Sequence, residues 1–236
     1  MTTGTAAPAS NRAGALQAYQ ELCKKHRTFR ERSENVDVSV EVTLQPWHAF
    51  KPDGVVLFSD ILTPLTGMNI PFDIVQGKGP IIASPVATLT DVEKISKLDA
   101  EGATPYVGEA LARVREAVGD SAAVLGFAGA PFTLASYIVE GGSSKNYSVL
   151  KRMAFSEPHV LHALLEKLTQ NVTDYCRYQA DNGAQVRRRP LLLWCFRVVP
   201  SAQLRALNGM SQMCFAQGAM LAACCDTAQH ASGRRL

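Results

Sequence analysis

The sequence has no apolar run that approaches the ~18 residues needed to cross a membrane. Its longest apolar stretches, such as residues 54–58, have the length of a strand. Hydrophobic residues make up 47% and charged residues 19% of the 236 positions, a composition typical of ordinary soluble globular proteins rather than of disordered chains. We therefore expect no membrane association. The length suits one large domain or two small ones.

Cysteine is unevenly distributed, with four of its positions in residues 186–236, and it is never arranged as a metal site. The chain has 6 cysteines, but it contains no Cys-x-x-Cys pair and no Cys/His spacing typical of zinc ligands. The sequence thus predicts no metal centre. It favours free thiols in a reducing compartment, where disulfides are rare.

Lysine and glutamate are absent from residues 186–236, which differ in kind from the rest of the chain. Seven arginines and a single acid, Asp226, give this tail a formal charge of +6, so residues 1–185 carry −3 of the total +3. We interpret the tail as a translated alternative frame, a retained intron or a gene-model error. The alternative is a basic interaction tail, since arginine clusters can bind polyanions. For the main body we expect no nucleic-acid partner.

Acidic residues are also missing from residues 1–15, which are rich in Ala, Thr and Ser. Arg12 is the only charged side chain there. This composition is compatible with an organellar transit peptide, but also with a flexible N-terminus. We therefore divide the chain into a divergent leader (1–15), a globular section (16–185) and the tail (186–236).

No G-x-G-x-x-G motif stands at a strand–helix turn, which argues against a dinucleotide-binding fold. The globular section instead alternates helix and strand signals with connections long enough for parallel pairing. An α/β barrel is therefore favoured over a doubly wound sheet. The predicted elements are a helix at 16–25, a helix or extended segment at 39–50, strands at 53–58 and 122–127, a loop-like stretch at 62–78, helices at 90–97 (capped by Thr90 or Asp91), 106–118 (ended by Gly119) and 158–178, and an element starting at 133–139.

Candidate site residues follow both predicted strands. Asp60 comes directly after the first strand, and in a barrel such a position faces the active site. An aspartate there could equally be a helix cap or a turn residue. Residues 126–133 follow the second strand, and their small side chains would let a ligand approach the backbone. Tyr137 lies just beyond, where packing is the more usual role. Residues 140–145 lack the spacing of a phosphate-binding loop and are predicted to be flexible.

Several of these segments together resemble the uroporphyrinogen decarboxylase family, in the form found in plant and algal plastids. The resemblance covers about residues 16–185. It is carried, in the family's order and spacing, by residues 29–34, 42–47, 52–55, 58–64, 77–80, 126–134 and 137–142.

The resemblance implies a cofactor-free lyase on a (β/α)8 barrel that removes the four acetate carboxyls of uroporphyrinogen III to give coproporphyrinogen III. Asp60 matches the family's aspartate, which accepts hydrogen bonds from the pyrrole N–H groups and can stabilise a developing pyrrole cation. Tyr137 matches an active-site tyrosine, and Phe58 is expected to contact the substrate. The family also implies a homodimer, and the plastid form implies the chloroplast stroma, with the cytoplasm as the alternative.

The sequence departs from the family's pattern at both ends of the matched section. An arginine pair that binds substrate carboxylates is expected near residues 11–16, where Arg12 could stand for the first arginine and Ala15 stands near the second. The family's serine-bearing turn is replaced after Gln185, and its C-terminal histidine has no counterpart, since His230 lies in unrelated sequence.

A (β/α)8 barrel needs about 200 residues or more, so we expect a truncated, partial barrel with three or four strands, poor stability and little or no activity. The alternative is a non-catalytic chain that pairs with full-length subunits. A related barrel methyltransferase with a zinc–thiolate centre is disfavoured, because its His/Cys ligands are absent.

Overall fold

The computed structural model describes residues 9–75 and 77–185. Within them, helices far outnumber strands. The elements, in chain order, are α1 (Ala9–Lys25), α2 (Phe29–Glu34), α3 (Val36–Phe50), β1 (Gly54–Val56), a 3-10 helix (Thr63–Met68), β2 (Phe72–Val75), β3 (Gly79–Ile82), α4 (Leu89–Glu93), α5 (Ala100–Ala103), α6 (Pro105–Val118), β4 (Ala123–Leu125), α7 (Pro131–Glu140), α8 (Ser148–Ser156) and α9 (Pro158–Asp181).

The two predicted strands pair in parallel, as expected, but they are shorter than predicted. Gly54 lies opposite Ala123, and the register runs to Val56 opposite Leu125. One further rung follows, in which the Leu57 N–H donates to the Leu125 carbonyl at 3.0 Å. The connection between β1 and β4 contains α4, α5 and α6, which is the long crossover that parallel pairing requires.

The described part of the chain contains two parallel strands and no closed barrel, so the expectation of three or four such strands was wrong for these residues. After α9 the chain returns beside β4, where the Gln185 N–H donates to the Val124 carbonyl at 2.6 Å. This bond marks the side of β4 on which a further strand would pair. The predicted tail, 186–236, lies outside the described residues.

The stretch 62–78, predicted to be loop-like, instead contains the 3-10 helix and β2. Together with β3, β2 forms an antiparallel hairpin in which Phe72 lies opposite Ile82. The many Pro and Gly residues favoured the prediction of a loop over that of a strand. The strand nevertheless has an alternating pattern, in which Phe72 is buried and Asp73 is exposed. Gly77 and Gly79 both have positive φ, so these glycines serve the tight turn rather than a long loop.

Several helix boundaries differ from the predicted ones. The first helix starts at Ala9, well before the predicted residue 16, and runs through the predicted leader boundary. Residues 39–50 belong to α3, which is a helix rather than an extended segment and is capped by Asn35, whose side chain accepts the Val38 N–H. The short helix predicted at 90–97 is α4, and Thr88 caps it in a reciprocal pair with Asp91.

The predictions for α6 and α9 hold, because both helices have a long periodic apolar face. Gly119 ends α6, as predicted. The central helix of the core is α9, whose Leu164, Leu168 and Tyr175 are fully buried. No helix among residues 9–75 and 77–185 has the length and apolar character needed to cross a bilayer.

The two parallel strands separate the core from an open face. Val55, Leu57 and Val124 are buried and belong to the hydrophobic core. Because side chains alternate along a strand, Val56 and Leu125 point to the opposite side. Val56 is 50% exposed and Leu125 is half-buried. We call this second side, formed by Val56, Phe58, Ala123, Leu125 and Phe127, the inner face.

Candidate functional site

The segments that follow β1 and β4 lie side by side at the same edge of the sheet. Both strands run in the same direction, so their C-terminal ends share that edge. The segments also touch, because a Cβ placed on Gly129 would lie 3.0 Å from the Ile61 carbonyl oxygen. Residues 58–62 and 126–131 therefore form one continuous surface.

Asp60 is half-buried in this surface. Its Oδ1 accepts the Leu62 N–H at 2.9 Å, and its carbonyl accepts the Thr63 N–H at 3.2 Å. Asp60 therefore does serve as a turn residue that starts the 3-10 helix. Its Oδ2 has no hydrogen-bond partner among the residues that the structure describes, so one carboxylate oxygen remains available to a ligand.

The surroundings of Asp60 have opposing effects on its pKa. Burial raises the pKa of Asp60, whereas the Leu62 N–H and the positive charge of Arg30 lower it, and the nearby Glu34 raises it again. The net direction is upward. Desolvation is the first cause, as expected for a carboxyl taken partly out of water without a direct cationic partner.

Arg30 also belongs to this candidate site, although the sequence analysis did not predict it as a site residue. Its Nε donates to the Glu34 carboxylate at 2.7 Å, and its Nη1 donates to the Phe72 carbonyl at 3.2 Å. The guanidinium also lies 5.3 Å from the centroid of the Phe72 ring. Arg30 is thus fixed between α2 and the hairpin, with its charge felt at Asp60. The resemblance of residues 29–34 to the family was the available signal.

Tyr106 lies close enough to Asp60 for their charges to interact, and Tyr175 interacts with Tyr106 in the same way. Burial, with Glu34 as the next cause, raises the pKa of Tyr106 to about 12. Tyr175 is fully buried, and its hydroxyl has no hydrogen-bond partner in the described structure. Burial also raises its pKa. Both hydroxyls are therefore protonated at neutral pH.

The raised pKa of Asp60 gives a prediction for stability. A group that binds its proton more tightly in the folded state loses stabilising effect as the pH rises through its folded pKa. Asp60→Asn removes this penalty and keeps an oxygen that accepts the Leu62 N–H. We therefore expect the variant to melt at or above the wild-type temperature at pH 7, with an advantage that shrinks toward about pH 4, measured by thermal denaturation across that range.

Asp91→Asn provides a control of opposite sign. Hydrogen bonds from Thr88 and Lys94 and from backbone N–H groups lower the pKa of Asp91. Its stabilisation is therefore present at neutral pH and is lost as the pH falls through the folded pKa. This variant should melt below wild type at pH 7. Parallel pH dependences for the two variants would contradict the electrostatic description of Asp60.

Phe58, predicted to contact a substrate, packs within an aromatic cluster. Its ring centroid lies 5.4 Å from that of Phe29 and 6.4 Å from that of Tyr19. The side chain is half-buried and lies two residues before Asp60, just beyond the end of β1. A contact between Phe58 and a substrate stays a prediction.

Tyr137 and Arg12 lie on helices α7 and α1. Tyr137 lies on α7, which starts directly after residues 126–130, and it packs half-buried against the hydrophobic core. Arg12 lies on α1, and its side chain is outside the described part of the structure. Neither residue makes a described contact with Asp60, so both assignments remain predictions.

Gly126 and Gly129 leave room for neighbouring side chains of the protein. A Cβ on Gly126 would lie 3.2 Å from Cδ of Gln179, and one on Gly129 would lie 2.7 Å from Cδ2 of Leu134. Close approach of a ligand was the predicted reason for these small residues. Packing by Gln179 and Leu134 accounts for them without a ligand.

Residues 140–145, predicted to be a flexible loop, are tied to their surroundings. The Gly141 carbonyl accepts the Ile82 N–H at 2.9 Å, and Gly142 bridges to Ile81. The Glu140 carboxylate accepts the Leu150 N–H at 2.9 Å. The segment therefore joins the hairpin to α8.

A groove of about 450 Å³ borders β1 on the side of α3. Val42, Pro46 and Trp47 of α3 line one wall, and residues 54–59 line the other together with Phe127. Among residues 9–75 and 77–185, no group of three or more His, Cys, Asp or Glu side chains could hold a metal ion.

Comparison with known proteins identifies the family. Residues 11–188 match the family "Uroporphyrinogen decarboxylase (URO-D)". The chain is 63% identical over 170 residues to the chloroplastic uroporphyrinogen decarboxylase of Nicotiana tabacum, covering 72% of this chain and 44% of that one. It is 64% identical over 170 residues to the chloroplastic uroporphyrinogen decarboxylase 2 of Oryza sativa, again covering 72% of this chain and 44% of that one.

More distant relatives agree. A uroporphyrinogen decarboxylase from Synechococcus is 55% identical over 171 residues, covering 72% of this chain and 49% of that one. A methyltransferase structure from Methanosarcina mazei matches with a TM-score of 0.56 at 17% identity, covering 70% of this chain and 49% of that one. At that identity the match shows the fold alone, and together with the family it implies a TIM-barrel family.

The chain spans less than half the length of these plant and cyanobacterial relatives. The match nevertheless covers most of the chain, and it includes both strand ends at which Asp60 and Phe127 lie. The chain belongs to the uroporphyrinogen decarboxylase family.

Proposed function

We propose that this chain acts on uroporphyrinogen III, removing acetate carboxyls in the direction of coproporphyrinogen III, a step of heme and chlorophyll biosynthesis. Family membership supports the reaction class. The observation that carries the proposal is the position of Asp60, half-buried at the shared C-terminal edge of β1 and β4 with one carboxylate oxygen unpartnered among the described residues.

The chemistry needs an electron sink, and the substrate supplies it. Protonation of a pyrrole ring gives a cation that can accept the electron pair of the breaking bond between the acetate methylene and its carboxylate. Carbon dioxide then leaves, a proton adds to the methylene carbon to give a methyl group, and loss of the proton first added to the ring restores the neutral pyrrole. These reaction steps require no cofactor.

Asp60 would stabilise the cation in this scheme. Its carboxylate accepts hydrogen bonds from pyrrole N–H groups, and a preorganised charge at a partly dehydrated site stabilises developing charge more than water does. The raised pKa of Asp60 reflects that dehydration. Binding of a cationic ring would lower the pKa again, because opposite charge favours the carboxylate.

The remaining site residues would bind the macrocycle. Phe58 and Phe127 offer apolar surface on the inner face, beside Asp60. The substrate's carboxylates need cationic partners, and Arg30 is fixed nearby, although it already pairs with Glu34. Arg12 on α1 and the Tyr137 hydroxyl on α7 are further proposed contacts.

The test is to incubate the purified full chain with uroporphyrinogen III without oxygen and to measure both binding and product. We expect saturable binding by calorimetry. Because the family's arginine pair has at most one counterpart, Arg12, we expect slow formation of porphyrinogens with fewer carboxyls, seen by chromatography after oxidation. Absence of binding would overturn the proposal, and a rate equal to that of the full-length tobacco enzyme would contradict the importance of the arginine pair.

A second candidate function is association with a complete decarboxylase subunit, without catalysis by this chain. The exposed inner face favours it, because Val56 is 50% exposed on a strand with one described neighbour. Co-purification of the tagged chain with the full-length tobacco enzyme would support this candidate, whereas separate elution would exclude it. Chromatography of the chain alone tests the homodimer expected for the family.

The site of action is proposed to be the chloroplast stroma, since the tobacco and rice relatives are named chloroplastic. A fluorescent fusion of the full chain that accumulates in plastids would support this location. A cytoplasmic signal would favour the alternative.

A further inference from the structure

Side chains from two helices bind the main chain where the ladder between β1 and β4 stops. The last rung joins the Leu57 N–H to the Leu125 carbonyl. Just beyond it stand Phe58 and Phe127, the two aromatic residues of the inner face. The backbone groups of both are bound by buried side chains instead of by a neighbouring strand.

Ser39 and Thr43 of α3 bind the main chain of Phe58. The Thr43 hydroxyl accepts the Phe58 N–H at 2.8 Å, and the Ser39 hydroxyl donates to the Phe58 carbonyl at 2.7 Å. The two residues are four apart on the helix, so they lie on the same face. Ser39 is 2% and Thr43 is 4% exposed, which leaves little water to replace either bond.

Gln179 of α9 binds the main chain of Phe127 in the same way. Its Oε1 accepts the Phe127 N–H at 2.7 Å, and its Nε2 donates to the Phe127 carbonyl at 3.2 Å. Gln179 is 1% exposed. A Cβ on Gly126 would come within 3.2 Å of Cδ of Gln179. This pair of hydrogen bonds therefore also requires glycine at position 126.

The hydrogen bonds to Phe58 and Phe127 affect the candidate site around Asp60 through the main chain. Phe58 is two residues before Asp60, and Phe127 is two residues before Gly129, which abuts the Ile61 carbonyl. A shift of either backbone would therefore move the inner-face aromatic ring and the carboxylate together. Misplacing groups by about 1 Å can cost as much as 100-fold in the efficiency of a site.

We propose that Thr43 and Gln179 are positioning residues that hold Phe58 and Phe127 in the geometry that binds the tetrapyrrole. Neither residue contacts the substrate in this scheme. The inference rests on the proposed function, because the ligand is the one named there. It adds one residue of α3 and one of α9 that the sequence analysis did not identify.

Thr43→Val, with Thr43→Ser as the conservative rescue, tests the first contact. Valine keeps the shape but cannot accept the Phe58 N–H, whereas serine retains the hydroxyl. For the full chain we expect Thr43→Val to bind uroporphyrinogen III between about 10- and 100-fold more weakly, and Thr43→Ser to bind within about three-fold of wild type. The control is Thr173→Val, which removes a hydroxyl bonded within α9 to the Thr169 carbonyl. It should bind as wild type.

Gln179→Glu tests the second contact by its pH dependence. A protonated glutamic acid can accept the Phe127 N–H and donate to its carbonyl, whereas the carboxylate can only accept. The affinity of this variant relative to wild type at the same pH should therefore recover as the pH falls from about 8 to about 5. A residue that merely fills space would give a ratio independent of pH.

Hydrogen exchange at the Phe58 and Phe127 amides gives a readout independent of the ligand. Faster exchange in the variants with unchanged affinity would overturn the positioning role and leave a structural one. Unchanged exchange would overturn the contacts themselves. If the wild-type chain binds no uroporphyrinogen III, the proposed function fails. If the wild type binds and the Thr43→Val variant binds equally well, only the positioning inference fails, so the two failures are distinguishable.

Discussion

Asp60→Asn should reduce conversion of uroporphyrinogen III by this chain by about 100-fold or more, the loss typical when one preorganised group that stabilises developing charge is removed. Asparagine keeps an oxygen to accept the Leu62 N–H, so the turn at the start of the 3-10 helix is preserved. What is lost is the negative charge that would face the pyrrole cation. Single-turnover chromatography of the products measures the effect directly.

Asp120→Asn is the matched control for this experiment. Asp120 is fully exposed and pairs with Arg115 at 3.1 Å. It precedes β4, so it lies at the edge of the sheet opposite to Asp60. We expect wild-type conversion and binding from this variant. Wild-type conversion by Asp60→Asn would remove Asp60 from the mechanism.

Leu164→Ala should lower the free energy of unfolding by about 2–5 kcal/mol, the range for truncating a fully buried leucine. Leu164 is 0% exposed and lies in the first third of α9, which contacts α4, α5, α6, α7 and α8. The cavity left behind would be lined by rigid helices that cannot easily collapse into it. Urea denaturation of both proteins at the same pH provides the measurement.

Leu165→Ala, on the next residue of the same helix, controls for helix propensity. Leu165 is only half-buried at the edge of the core, so we expect a smaller loss, of about 1 kcal/mol. Equal destabilisation by the two variants would contradict the placement of α9 as the central helix of the core.

The parts of the fold that could be predicted are those with long, regular patterns. Residues 106–118 and 158–178 have a continuous apolar face, and their helices formed nearly as expected. The two strands were predicted because short apolar runs lie between Gly and Asp residues. The hairpin β2–β3 was missed because Pro71 and the glycines outweighed a four-residue alternation.

The site was predictable only where local position sets it. Asp60 could be placed at the C-terminal edge of the sheet because it follows a strand. Arg30 could not be placed beside it by pattern, since no periodicity links α2 to the end of β1. The bonds from Thr43 and Gln179 also span long sequence separations, and their residue types are ordinary in helices. Three-dimensional packing alone revealed them.

We propose that the joined ends of β1 and β4 bind the tetrapyrrole. Hydrogen–deuterium exchange of the full chain with and without uroporphyrinogen III, followed by peptide mass spectrometry, tests this proposal. We predict that the ligand slows exchange in peptides covering residues 57–65 and 126–137 and leaves residues 148–181 unchanged. Protection confined to residues 148–181, or no protection anywhere, would contradict the account.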